Sequence, residues 1–363
     1  MAKRVGADKW LFGAVLLLAL FGLVMVFSSS AVVAKAQFGS PYQFVVRQAI
    51  FVALGIAMMF VLMRVDYRHY NNAKVVFPAV GVTTLLLVGV FAMGGMNGAH
   101  RWIRMAGITL QPSELAKPVI VLFLAYFLQT RLHQMDDMKG TVLRAASVPL
   151  IFTALILKEP DLGTAMVCVG VTALMLLLAG IRLRYLGIAF AAAAPVLYYM
   201  LFHVAFRRKR MLAFINPEAD PRGAGFHILQ SLIAVGTGGF HGVGLMEGKQ
   251  KLFYLPEPQT DFIYATVCEE LGLIGAIFVV VLFVVLAYRG LRAAYLSTDP
   301  FARFLAFGMT TAILVQAFFN ISVVLALLPT KGIPLPFISN GGTSVFITLA
   351  SMGVLLNITR EID

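Results

Sequence analysis

The chain has 363 residues, of which 60% are hydrophobic and only 13% are charged, and its mean hydropathy is +0.87. This composition excludes an ordinary soluble globular protein. The 29 Lys and Arg residues exceed the 17 Asp and Glu residues and give a formal net charge of +12. These cations lie between hydrophobic stretches and form no continuous face, so they indicate a membrane surface as partner and no nucleic acid.

Ten stretches are long and apolar enough to cross a bilayer, whose hydrocarbon core of about 30 Å needs about 20 residues per helix. These predicted spans lie near residues 10–31, 44–63, 75–94, 113–130, 143–157, 162–180, 184–205, 262–288, 302–328 and 342–357. The first apolar run is too long for a signal peptide, so we expect an uncleaved helix. The sequence therefore predicts an all-α, polytopic membrane protein that forms a single domain over residues 1–363.

The long segment 206–261 between predicted spans seven and eight is rich in Gly, Pro and polar residues, as functional loops are. Within it, the apolar residues from Ile228 to Val235 recur at helical spacing and predict an amphipathic helix in the membrane interface. The even number of spans puts both termini on one side. Lys and Arg favour a cytoplasmic location for the termini only when this long loop is set aside, because long loops cross largely regardless of charge. Segment 206–261 is then a large extracytoplasmic loop.

Metal-binding and cysteine motifs are weak in this chain. The six histidines form no pair at metal-ligand spacing, either with one another or with a cysteine, so we do not expect a structural metal. Cys168 and Cys268 each lie inside an apolar run, which indicates packing rather than a disulfide framework.

Ionisable residues near membrane spans are costly and therefore indicate function. Arg101 and Arg104 precede predicted span four, which opens with Glu114 and Lys117. Because Glu114 and Lys117 are three residues apart on a helix, each can neutralise the other at the membrane boundary. A purely structural ion pair is the alternative interpretation.

Two further polar groups lie at the starts of predicted spans. Lys158 and Asp161 lie in the turn before span six, where Asp161 also suits an ordinary helix start. Glu257 and Asp261 precede span eight. The alternative interpretation of Asp261 is that it only caps this helix and has no part in the chemistry.

Basic and irregular segments complete the candidates. Residues 207–210 are all basic and close predicted span seven. They are interpreted either as a solvated charge run or as a contact for anionic headgroups or diphosphate. Between spans nine and ten, residues 329–344 contain three prolines and three glycines together with Lys331 and Ser339. Such irregular backbone at membrane depth needs surrounding protein or a watery cavity.

Taken together, these stretches resemble the SEDS family (shape, elongation, division and sporulation) of polytopic peptidoglycan glycosyltransferases. The matching segments include, in order, GLVMVFSSSA at 22–31, RWIR at 101–104, QPSELAK at 111–117, EPDLGT at 159–164, KLFYLPE at 251–257, TDFI at 260–263, EELG at 269–272 and LPTKGIPLPFIS at 328–339. The VMVFSSS, PTKG and KLFYLPE segments are more similar to the division type than to the elongation type.

The resemblance implies that lipid II, a disaccharide-pentapeptide on undecaprenyl diphosphate, is polymerised into septal glycan strands outside the cytoplasmic (inner) membrane. Asp261 matches the aspartate that the family requires, Glu114 and Lys117 match its polar pair, and Lys331 and Ser339 match its last loop. The implied partners are a class B penicillin-binding protein with transpeptidase activity and small bitopic division proteins.

The chemistry fits these residue types. An acceptor hydroxyl loses its proton as it attacks the anomeric carbon, and the carboxylate of Asp261 can accept that proton. The leaving diphosphate needs cations, which Arg101, Arg104, Lys117 or a divalent ion such as Mg²⁺ or Mn²⁺ can supply. Inversion from an α-linked donor to a β-1,4 link requires no covalent intermediate. With Asp261 as the catalytic residue, the candidate substrate-binding residues are Arg101, Arg104, Glu114, Lys117, Lys158, Asp161, Glu257, Lys331 and Ser339.

Three alternative functions use the same features. An elongation-type polymerase would carry out the same reaction for a different cell-wall process. A lipid II flippase would use a polar cavity and broken helices without forming a bond. A scaffold that only recruits a transpeptidase would not need ionisable residues inside the membrane.

Overall fold

The computed structural model describes residues 6–92, 101–105, 108–203, 205–223, 225–252 and 254–361. Within them lie twelve α-helices: α1 (Lys9–Phe38), α2 (Gln43–Arg64), α3 (Ala73–Gly89), α4 (Pro112–Leu128), α5 (Leu143–Lys158), α6 (Leu162–Leu178), α7 (Leu183–Phe202), α8 (Ala205–Ile215), α9 (Phe226–Gly238), α10 (Ile263–Leu296), α11 (Pro300–Val324) and α12 (Gly342–Thr359). A short antiparallel hairpin pairs β1 (Ile103–Met105) with β2 (Ile108–Leu110) before α4.

The prediction of an all-α polytopic protein is confirmed. Each of the ten predicted spans overlaps one of α1 to α7 or α10 to α12. Seven helical stretches in the described chain are long and apolar enough to cross a membrane, whereas α4 and α6 are shorter, with 17 residues each. The short fifth span is lengthened by a π-helical turn, which gives a continuous stretch Gly140–Lys158. The chain is a multi-pass membrane protein.

The prediction that the basic run 207–210 closes span seven is wrong. Helix α7 ends at Phe202, and the basic residues belong to the separate helix α8. The separate helix brings Arg210 to the last loop, where its guanidinium donates to the carbonyl of Thr330 over 3.4 Å. The predicted helix over these apolar residues is confirmed as α9, which buries Ile228 and Ala234 and leaves Leu232 and Ile233 exposed. Its location in the membrane interface stays a prediction.

Close packing of α2 against α12 depends on glycine. A β-carbon at Gly353 would lie 2.6 Å from the carbonyl oxygen of Met59, and one at Gly55 would lie 2.7 Å from the side chain of Leu349. Small residues of this kind allow membrane helices to approach closely where no hydrophobic effect drives them together.

The two ends of the described chain meet at one end of the bundle. The backbone N–H of Asp8 donates to the hydroxyl of Thr359 over 3.2 Å, and the Asp8 carboxylate forms an ion pair with Arg289. This arrangement agrees with the predicted even number of membrane crossings, which puts both termini on one side.

Helix α10 is broken near its start by Gly272, whose φ of +62° is left-handed. Because a left-handed residue interrupts the helical hydrogen bonds, the carbonyls of Glu269 and Glu270 accept elsewhere. The N–H groups of Val243 and Gly244 donate to them, each over 3.0 Å. This exchange attaches a part of the long loop that precedes Asp261 to a part of α10 that follows it.

The loop 325–341 between α11 and α12 is irregular yet largely enclosed by protein, as its composition predicted. Leu335, Phe337 and Ser339 are each 1% exposed. Gly22 on α1 lies against this loop, since a β-carbon there would stand 2.6 Å from the carbonyl oxygen of Phe337. The loop therefore lies inside the fold, where it can form one wall of a site.

Candidate active site

Asp261 lies at the end of the long loop, two residues before α10 begins. The residue at the cap position of α10 is Phe262, which provides no side-chain cap. Asp261 is therefore one residue outside the position where a capping role would place it. Its carboxyl group is half-buried and lies against Gly332 of the last loop.

The main chain at Asp261 is fixed by three consecutive hydrogen bonds from other parts of the fold. They are Asn340 N to Gln259 O (2.8 Å), Ser339 Oγ to Thr260 O (2.6 Å) and Asn320 Nδ2 to Asp261 O (2.9 Å). Two of these donors come from the last loop and one comes from α11. The carboxyl-bearing segment and the last loop therefore form one structural unit.

The electrostatic surroundings of Asp261 favour a proton acceptor that works near neutral pH. Burial, and after it the nearby Glu257 carboxylate, raise the pKa of Asp261 to about 7. The positive charges of Arg210 and Arg101 oppose this rise. A carboxyl group with such a pKa is matched to general base catalysis at physiological pH.

Three cations lie on segments next to this carboxyl: Arg101 and Arg210, whose charges act on it, and Lys331, which precedes Gly332. Arg101 donates through Nε to the carbonyl of Glu159 over 3.1 Å, and its charge reaches Asp261. Lys331 is half-buried, with Nζ 2.6 Å from the sulfur of Met166, and burial lowers its pKa to about 8. Arg210 is the third cation, which sequence reasoning had noted only as part of a basic run.

The turn before α6 supplies two carboxyl groups with different environments. Asp161 caps α6, because it accepts from the N–H of Thr164 over 3.1 Å and from its hydroxyl over 2.9 Å. The helix-start interpretation of Asp161 is therefore confirmed. Glu159 is fully buried, and neither of its carboxyl oxygens has a hydrogen-bond partner among the described residues. Burial, and after it the charge of Asp161, raise the pKa of Glu159 to about 8, although the charge of Arg101 opposes this rise.

The predicted ion pair of Glu114 and Lys117 is confirmed, with 2.8 Å between Oε2 and Nζ, and both residues are buried. Ser344 donates to Glu114 over 2.7 Å, and Lys117 also donates to the side-chain oxygen of Gln316. Gln316 in turn donates to the carbonyl of Pro334 over 2.8 Å. The pair is thus connected to the last loop.

Other predicted residues are placed less directly. Arg101 and Lys117, both predicted to bind the diphosphate, have different protein partners: Arg101 donates to the carbonyls of Glu159 and Pro160, and Lys117 binds Glu114 and Gln316. Their shared contact with substrate stays a prediction. Ser339 uses its hydroxyl inside the protein, where it donates to Thr260 and accepts from the N–H of Leu335 over 2.8 Å.

Three more predicted residues lie at the margins. Glu257 is exposed, with a left-handed φ of +52°, and its carboxylate accepts from Gln259 over 3.2 Å. Lys158 is exposed, and its ammonium lies 5.3 Å from the centre of the Phe91 ring. Arg104 lies in β1, in register with Thr109 of β2.

A protein-held metal centre does not fit the described residues. No group of three or more His, Cys, Asp or Glu side chains among them could hold a metal ion. The charges that act on Asp261 are those of Glu257, Arg210, Asp161 and Arg101.

Comparisons with known proteins agree with this architecture. The FtsW/RodA/SpoVE family model, described as a cell cycle protein, matches residues 8–363. "Probable peptidoglycan glycosyltransferase FtsW" of Geobacter metallireducens is 46% identical over 342 residues, which cover 94% of this chain and 91% of the relative. "Stage V sporulation protein E" of Bacillus subtilis is 38% identical over 99% of this chain and 98% of the relative.

Solved structures show the same fold. A chain from "Structural coordination of polymerization and crosslinking by a peptidoglycan synthase complex" matches with a TM-score of 0.80 and 26% identity over 98% of both chains. The rod shape determining protein RodA of Thermus thermophilus matches with a TM-score of 0.71 and 24% identity over 98% of this chain and 97% of RodA, and supports the fold alone. The resemblance deduced from the motifs is confirmed: the chain belongs to the FtsW/RodA/SpoVE family.

Proposed function

We propose that this chain is a division-type peptidoglycan glycosyltransferase, which polymerises lipid II at the outer face of the bacterial cytoplasmic membrane with both of its own termini in the cytoplasm. The observation that carries this proposal is the fixed, half-buried carboxyl of Asp261, whose pKa of about 7 is set among nearby cations. Similarity to relatives named as FtsW supports the substrate class and the role in division.

In the proposed reaction, Asp261 acts as the general base. The acceptor hydroxyl gives its proton to the Asp261 carboxylate while its oxygen attacks the anomeric carbon of the donor. The bond between that carbon and the diphosphate oxygen breaks, and undecaprenyl diphosphate leaves with the electron pair. One displacement inverts the anomeric carbon, so an α-linked donor gives a β-linked product.

Cations stabilise the leaving diphosphate. Arg101, Arg210 and Lys331 are the best placed, because Arg101 and Arg210 act on the charge of Asp261 and Lys331 adjoins Gly332, which contacts it. Arg104 and Lys158 are predicted to bind outlying parts of the substrate. The prediction that Mg²⁺ or Mn²⁺ supports the reaction stays a prediction, and an assay in the presence of EDTA tests it.

The remaining site residues hold the cations and the base in place. Lys117 is engaged by Glu114 and Gln316, so its role is to connect α4 to α11, whose Gln316 in turn binds the last loop. Asp161 anchors the turn beside Arg101, Ser339 anchors Thr260, and Glu257 adjusts the charge on Asp261.

A class B penicillin-binding protein and small bitopic division proteins are the proposed partners. The overall similarity to a chain of a peptidoglycan synthase complex supports the first of these. Such a partner would cross-link the strands that this chain makes.

A polymerisation assay tests the function. The purified chain is incubated with lipid II, with and without its transpeptidase partner, and the products are separated by length before and after muramidase digestion. We expect muramidase-sensitive polymer. Transport of lipid II across vesicles without polymer would support a flippase, and absence of polymer under both conditions would contradict the proposal. Labelling of new cell wall after depletion separates division from elongation, and we expect loss at the septum.

A further inference from the structure

Asn320 on α11 joins two parts of the site that are distant in sequence. Its side-chain nitrogen donates to the carbonyl of Asp261 over 2.9 Å and to the carbonyl of Ile333 over 2.7 Å. The residue is 1% exposed. A single buried amide thus connects the main chain of the proposed base to the loop that follows Lys331.

The orientation of this amide is fixed by chemistry. An amide nitrogen has two hydrogens, and Asn320 uses both of them on the two carbonyls. The reverse orientation would place its oxygen against two other oxygens. Its oxygen Oδ1 is buried and has no hydrogen-bond partner among the described residues. Because an unpaired buried acceptor lowers stability, maximal stability does not explain an asparagine here.

The neighbouring turn of α11 has a related contact. Gln316, four residues earlier, donates to the carbonyl of Pro334 over 2.8 Å. The two amides therefore bind the consecutive carbonyls of Ile333 and Pro334. Only Asn320 of these two also reaches Asp261.

We propose that Asn320 is a positioning residue that sets the distance between Asp261 and the loop segment carrying Lys331 and Gly332. This inference rests on the proposed function. It follows from the bridge itself: the base and a cation for the leaving group sit on two segments, and Asn320 binds both. Misplacement of reacting groups by about 1 Å can reduce a rate about 100-fold.

The chain offers a matched control in Asn357, which lies near the C-terminal end of α12, whereas the last loop joins the N-terminal end of that helix. Its amide also bridges two segments, because Nδ2 donates to the carbonyl of Met63 over 2.8 Å and Oδ1 accepts from the N–H of Tyr67 over 2.9 Å. Asn357→Leu removes a bridge of the same kind far from Asp261.

The test compares Asn320→Leu, Asn320→Ser and Asn357→Leu in lipid II polymerisation by the full-length chain. We expect Asn320→Leu to lower kcat by about tenfold or more with little change in KM, because the reacting groups move and substrate contacts remain. Asn320→Ser retains one donor and should be intermediate, which keeps the test valid if the leucine variant folds poorly. Asn357→Leu should retain the kcat of the unaltered chain.

The pH profile gives a second readout, which a purely structural role would not change. In Asn320→Leu and Asn320→Ser, Asp261 becomes less enclosed, so the acidic limb of log kcat should move to lower pH. It should stay in place in Asn357→Leu. A folded Asn320→Leu with unchanged kcat and pH profile would overturn the inference. If Asp261→Asn is inactive while Asn320→Leu has normal activity, only the inference about Asn320 fails. If Asp261→Asn is active, Asp261 is not the general base, and the proposed mechanism fails.

Discussion

Gly332 lies directly against the carboxyl group of Asp261: a β-carbon at position 332 would stand 2.8 Å from Oδ2. That separation is too short for a carbon and an oxygen that are not bonded. A β-carbon at position 332 would therefore displace the carboxyl from its present position, and the nearest atoms that it meets belong to the Asp261 side chain and not to the backbone.

We predict that Gly332→Ala lowers polymerisation by about tenfold or more while the melting temperature stays nearly unchanged, since the displaced group is a general base. Gly81→Ala is the control, because a β-carbon at Gly81 has no atom within 4 Å. Comparison of the two purified variants in the lipid II assay checks this. Equal activity of both variants would show that the carboxyl position is unimportant.

The pH dependence of the rate should depend on Glu257. As a base, Asp261 is active when deprotonated, so with a pKa of about 7 the rate should fall as the pH falls through 7. Glu257→Gln removes a negative charge that raises this pKa, so the acidic limb should shift to lower pH. Glu247→Gln alters an exposed carboxylate in the same long loop and should leave the limb in place. A shift to higher pH in Glu257→Gln would contradict this assignment.

Lys251 and Glu270 form a buried ion pair of 2.6 Å between the long loop and α10, and Ser28 donates to the same carboxylate over 2.5 Å. Lys251→Met should lower the free energy of unfolding by about 3–5 kcal/mol, because it leaves a buried charge without its partner. The double variant Lys251→Met/Glu270→Gln should recover much of this loss. Thermal unfolding in detergent measures both, with Lys249→Met as an exposed control in the same loop. A double variant less stable than Lys251→Met would be the opposite result.

Glu159 should make stability depend on pH. Its folded-state pKa of about 8 is above the ordinary value of 4.5, so the neutral form is favoured by folding. That stabilisation is complete below pH 4.5 and is lost as the pH rises through 8. Glu159→Gln stays neutral, so its melting temperature should exceed that of the unaltered chain increasingly from pH 5 to pH 8. A difference that is constant with pH would show that Glu159 does not titrate in this range.

Local patterns predicted the parts of this protein that depend on neighbours in sequence. Hydrophobic run length predicted ten of the helices, the i, i+3 spacing predicted the Glu114–Lys117 pair, and the position of Asp161 before an apolar run predicted its cap. Each rests on interactions within one or two helical turns.

Contacts between distant segments could not be predicted in this way. Asn320 lies in a mainly apolar helix and reaches Asp261, 59 residues away, with no motif to mark it. Glu159 lies inside a recognised segment, yet only the fold shows that its carboxyl is enclosed and unpaired. The left-handed Gly272, which frees two carbonyls for the long loop, is not distinguishable in sequence from other helical glycines.

The central claim is that the carboxylate of Asp261 accepts the proton of the acceptor hydroxyl, and Asp261→Asn tests it most directly. The amide keeps the size of the side chain but cannot take the proton, and general base catalysis typically contributes about 10²–10⁴-fold. Polymerisation of lipid II by the purified variant should therefore fall at least about 100-fold, with unchanged thermal unfolding. Polymerisation within about tenfold of the unaltered chain would contradict the account.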